Sequence, residues 1–82
     1  METINTKQLL ALADANAIKA VSVHGTAGGF TIAVDGKLIE LKRGNARVFK
    51  KLQAAATYLK HNGIGTFTVD VSNWCPQQNA IL

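Results

Sequence analysis

The sequence predicts one small α+β domain: an antiparallel three-stranded meander plus a fourth strand, with two helices packed on one face, in the order α-β-β-β-α-β. Three observations predict it. Asp35-Gly36 stands between two alternating apolar runs, the pattern of a two-residue hairpin. A helical spacing follows, with Phe49, Leu52, Ala55 or Ala56, and Leu59 three and four apart. A last alternating run, Thr66-Phe67-Thr68-Val69-Asp70-Val71, comes after it.

The first helix is expected over 6–16. Thr6 is a suitable N-cap, and Leu9, Leu10, Leu12 and Ala13 form a short apolar face before Asp14 and Asn16 weaken the helix. Lys19 to His24 alternates, with Val21 and Val23 inward. Gly25 to Gly29 is a turn, because glycine adopts backbone angles that other residues resist. Phe30, Ile32 and Val34 share the inner face of the second strand. Asp35-Gly36 tolerates the positive φ that a type I′ turn needs, and leads to a third strand over 37–43, with Ile39 and Leu41 on the face of Val34.

Gly44-Asn45 is a further turn. It either closes a second hairpin, leaving Ala46-Arg47-Val48 extended, or starts the next helix with Asn45 as cap. That helix begins between about 46 and 51 and stops at Asn62-Gly63. In the last strand Phe67, Val69 and Val71 point inward, and a right-handed crossover sets it parallel beside the first strand. Trp74 folds back on the core edge. Residues 1–74 make the domain, and 75–82 form a flexible tail.

The chain has 82 residues and is 48% apolar, which suits one globular domain. No apolar run approaches the ~18 residues of a membrane span. The start, Met1 to Lys7, has no basic segment followed by an apolar one, so the expected location is the cytoplasm. One cysteine, Cys75, cannot close an internal disulfide.

Catalysis finds no support in the residue pattern. Cys75 has nothing beside it to lower its pKa, and His24 and His61 fit no metal spacing. Asp35 is used by its turn, and Glu40 lies between cations. The glycines of 25–29 join two strands instead of opening a helix, as a phosphate loop must. No cofactor, metal or small-molecule substrate is expected.

Charge is the feature with a mechanism. Between Leu41 and Val69 the chain carries six cations and no acid, a charge of +6; outside it, three cations face five acids, a charge of −2. Lys42, Arg43, Arg47, Lys50 and Lys51 would converge on one corner and contact DNA phosphates, giving affinity without sequence choice. The alternative is a protein-interaction or homodimerisation module with no nucleic-acid role, using Leu38 on the polar sheet face and Tyr58 on the helix.

Several stretches resemble the small bacterial ParC-like, plasmid-partition-associated proteins: Gly28-Gly29-Phe30, Leu41 to Leu52, Tyr58-Leu59, and Gly63 to Asp70. The resemblance covers about residues 6–74. It implies a non-catalytic cytoplasmic accessory protein of plasmid or mobile-element maintenance, with DNA or a partition-type protein as partner. Arg43, Gly44, Arg47 and Phe49 match the pattern, with Phe49 and Leu52 better read as core. Lys51 departs from it, standing where a small polar residue usually caps the helix.

Overall fold

A computed structural model of the chain describes residues 2–42 and 45–74. Eight elements follow one another: β1 (Thr3–Ile4), α1 (Thr6–Asp14), β2 (Val21–Thr26), β3 (Gly29–Val34), β4 (Lys37–Lys42), β5 (Asn45–Ala46), α2 (Leu52–His61) and β6 (Thr68–Asp70). The sheet runs β1-β4-β3-β2-β6, with β5 added to β4. The class is α+β as expected, with a central antiparallel meander and β6 parallel to β2.

Both edge strands are parallel to their neighbours, β1 to β4 and β6 to β2. The connections β1-α1-β2 and β4-α2-β6 each cross two intervening strands in the same direction. Right-handed crossovers therefore lay both helices on one face. The core confirms it: Leu9 of α1 and Ala55 and Leu59 of α2 pack with Val23, Ile32 and Ile39 of the sheet, all fully buried. The other face of the sheet has no layer of secondary structure over it among the described residues.

The Asp35-Gly36 turn forms as expected, with φ of 50° and 87°. Asp35 contributes more than a turn. Its carboxylate accepts the backbone N–H groups of Lys19 and Ala20, tying the entry of β2 to the hairpin. At the end of α2, Gly63 (φ 84°) donates to the Lys60 carbonyl and Ile64 donates to the Leu59 carbonyl. That is a Schellman stop, with Ile64 and Leu59 joining the core behind it.

Several expectations are corrected. The cap of α1 is Asn5, not Thr6: its side chain accepts from Gln8 N–H while the Gln8 side chain accepts from Asn5 N–H. This frees the Thr6 hydroxyl, which pairs with that of Tyr58 at 2.6 Å. Replacing Asn5 with alanine should cost about 1 kcal/mol, checked by urea unfolding. The helix ends at Asp14, because Asn16 already has φ 56°. The strands β2 and β3 run through most of the expected glycine turn, leaving Ala27-Gly28 as its tip. The start of α2 is Leu52, so neither Asn45 nor Phe49 belongs to it. Leu10 and Leu52 are exposed, facing away from the packed side of their helices.

The last strand is shorter than its alternation suggests. Val69 pairs with Val23 and shares its face, yet Val69 and Val71 are 42% and 47% exposed. Val69 lies in the edge strand and Val71 just past its end, and neither belongs to the buried core. The strand β1 is an addition to the expected order. The side chains of Leu41 and Lys42, the residues Arg43 and Gly44, and the tail 75–82 lie outside the described residues.

Candidate nucleic-acid interface

The expected basic corner is built by an irregular strip between β5 and α2. Arg47 N–H donates to the Ile39 carbonyl of β4, and Phe49 exchanges two hydrogen bonds with Phe30 of β3, at 2.7 and 2.8 Å. The strip can approach β3 this closely because of Gly29. It has φ 137°, and a Cβ there would lie 2.4 Å from the Phe49 carbonyl oxygen and 2.9 Å from Val48. Val48 points out and is exposed, while Phe49 turns into the core.

Arg47, Lys50 and Lys51 then line one open groove of about 570 Å³, together with Phe49, Gln53, Ala54, Thr57 and Tyr58. The Arg47 guanidinium lies 4.8 Å from the Phe49 ring centroid and 5.0 Å from that of Tyr58. The two rings are 5.4 Å apart and tilted. Such cation–π contacts hold a guanidinium in place without neutralising it. No ion pair involves Arg47, Lys50 or Lys51 among the described residues.

The helix start adds to the positive field. Lys51 is the N-cap of α2 and makes no side-chain cap, and the first turn has no acid. The amide dipoles and two lysines therefore present the same sign at one end, at a cost of about 0.3–1 kcal/mol per lysine.

Of the five expected phosphate contacts, the structure brings Arg47, Lys50 and Lys51 together. Lys42 ends β4 at the backbone level, while its side chain and Arg43 lie outside the described residues. Lys60 belongs elsewhere: it sits in the last turn of α2, ~13.5 Å along the axis from Lys51. Tyr58 proves to be part of the groove wall. Leu38 is half-buried on the open sheet face, in register with Thr3 and Ala33. Glu40, on that same face, accepts a hydrogen bond from Thr3 at 2.8 Å.

A row of polar residues on the open face was not anticipated. Ser22 Oγ is 2.9 Å from His24 Nε2, and His24 Nδ1 is 3.9 Å from Asp70 Oδ2. The signal was present in the Ser22-x-His24 alternation, but Asp70 joins only through the parallel pairing His24↔Asp70. The side chains are 43% and 53% exposed, so solvent screens the pair. The Asp70 carboxyl is held below its usual range, first by the Ser72 backbone N–H at 2.9 Å, then by the Ser72 hydroxyl, with His24 a lesser cause. A lowered carboxyl pKa stabilises the fold above its unfolded value and loses that contribution as pH falls through the folded value. Asp70→Asn should therefore lower the urea midpoint at neutral pH, flatten its decline below about pH 4, and leave the acid end, where Asp70 is already neutral, little changed.

A smaller groove of about 310 Å³ lies between the end of α1 and the α2–β6 connection, with Lys19 its one charged lining residue. Among the described residues, no cluster of three His, Cys, Asp or Glu could hold a metal ion, and no helix is long and apolar enough to cross a membrane.

Comparison with known proteins agrees with the resemblance read from the sequence. A family model described as ParC-like matches residues 4–78. No curated protein matches the chain, and no solved structure does.

Proposed function

The chain belongs to the ParC-like family, and on that premise we propose that it is a non-catalytic accessory module of plasmid or mobile-element maintenance that contacts the DNA backbone. The observation that carries this reading is the groove at the start of α2, where Arg47, Lys50 and Lys51 stand together without an acidic partner among the described residues. Phosphates would replace the counterions that otherwise gather there. Lys42 and Arg43, close in sequence, would extend the contact. Contacts of this kind fix position on the duplex and read no bases, so affinity should depend on salt far more than on sequence.

The test is a mobility-shift titration at low and moderate salt. Binding at micromolar protein in low salt, weakening steeply as salt rises, is expected. No shift at about tens of micromolar in low salt would remove the proposal, since non-specific binders reach ~10⁻⁴–10⁻⁶ M even at physiological salt.

A second reading is a protein-interaction or homodimerisation module in the cytoplasm. It draws on the half-buried Leu38 of the open sheet face, on the exposed Val69 of the edge strand β6 and on the exposed Val71 just past its end. Light scattering separates the two readings: a species that stays monomeric at high concentration argues against self-association.

A further inference from the structure

We infer that the groove at the start of α2 takes duplex DNA in preference to single strands, an inference that rests on the DNA-contact reading above. Proteins that hold single strands lay successive bases on aromatic faces, each stacked base contributing roughly 5- to 140-fold in affinity. Two rings line this groove, so its residue types alone would allow such stacking. Both are already engaged, with each other and with the Arg47 guanidinium.

Phe49 is 7% exposed, with its backbone bonded to Phe30. Tyr58 packs its ring on Phe49 and against the Arg47 guanidinium, and its hydroxyl is held by Thr6. A base stacking where Arg47 now lies would have to displace the guanidinium from both rings, which would remove the contact that holds a groove cation in position. Phe67 is half-buried against the core and, like His24 and His61, does not line the groove; Trp74 is exposed but also lies outside it. It lies on Phe30, 5.8 Å between centroids, and crowds Gly25.

What the groove does offer is charge in a fixed place. A guanidinium lying over a ring keeps its in-plane N–H donors for a phosphate. Attraction of that kind follows charge density. A duplex carries one charge per ~1.7 Å of axis with both strands counted, twice what either strand contributes to it, and each phosphate contact releases more counterion from a duplex than from a single strand. With no stacked base to compensate, the duplex is the better ligand.

The test is fluorescence anisotropy of the whole protein with a short labelled duplex and with each of its strands, over a range of salt. The duplex should bind roughly tenfold tighter in low salt, with a log–log slope between about −2.7 for three contacts and −4.5 for five. A single strand that binds as tightly as the duplex, or tighter, would overturn this inference and leave DNA contact standing. Failure of both to bind would overturn the DNA-contact reading itself, and this inference with it.

Discussion

Gly29→Ala is expected to cost about 2–6 kcal/mol, the sum of backbone strain and overpacking at one site. The residue adopts φ 137°, which side chains resist, and its missing Cβ is the space that the Phe49 carbonyl occupies. An added methyl would have to push the Arg47–Phe49 strip off β3, breaking the two hydrogen bonds between Phe49 and Phe30. A domain of this length has roughly 4–12 kcal/mol in all, so the loss is a large fraction of the total and at its upper end would unfold the variant. Gly28→Ala is the matched control. Nothing lies within 4 Å of a Cβ there, and its melting should change little. Urea unfolding of the pair checks the prediction. Equal midpoints for Gly29→Ala and the parent would mean that the strip is not pinned as described.

The second large effect concerns binding. The triple replacement Arg47→Gln, Lys50→Gln and Lys51→Gln removes three counterion-releasing contacts. If phosphate contacts account for the salt dependence, the log–log slope should become shallower by about 2.7. Extrapolated from molar salt, where such contacts contribute little, that is a loss of about 10³-fold in duplex affinity at 50 mM salt. Lys50 and Lys51 are exposed and Arg47 is half-buried, so the fold should survive, which circular dichroism can verify. A variant that binds as before, with an unchanged slope, would move the interface to another part of the surface.

The meander was legible because its signals are local. Asp35-Gly36 needs only neighbouring residues to declare a hairpin, and the alternation of Phe30, Ile32 and Val34 marks a face wherever the strand lies. The edge strands were harder. Thr3–Ile4 is two residues long and acquires meaning only by pairing with Leu38 and Ile39. The inward reading had the correct face for Val69, which is nevertheless exposed at the sheet edge, while Val71 falls past the end of the strand. Phe49 kept helical spacing with Leu52 for a different reason: it is buried by a bridge to β3, one turn before the helix begins.

The candidate site was partly readable for the same reason. Arg47, Lys50 and Lys51 are near neighbours in the chain, so a cluster follows from almost any fold of that stretch. Tyr58 belongs to it through helix geometry, and its position beneath Arg47 depends on where the preceding strip is fastened. Lys60 shares the acid-free window but lies at the far end of the helix. The Ser22–His24–Asp70 row depends on a parallel register that no turn or loop length specifies.

The two parallel edges have a kinetic side. Hairpins close through short loops, whereas β1 reaches β4, and β6 reaches β2, only after more than thirty residues are brought together. Native-state amide exchange should therefore divide the sheet, with β2, β3 and β4 opening only in global unfolding and the amides of β6 released by cheaper local fraying. The basic groove is fastened to β3, in the slow-exchanging centre. Its cations should keep their arrangement while the rim of the sheet breathes.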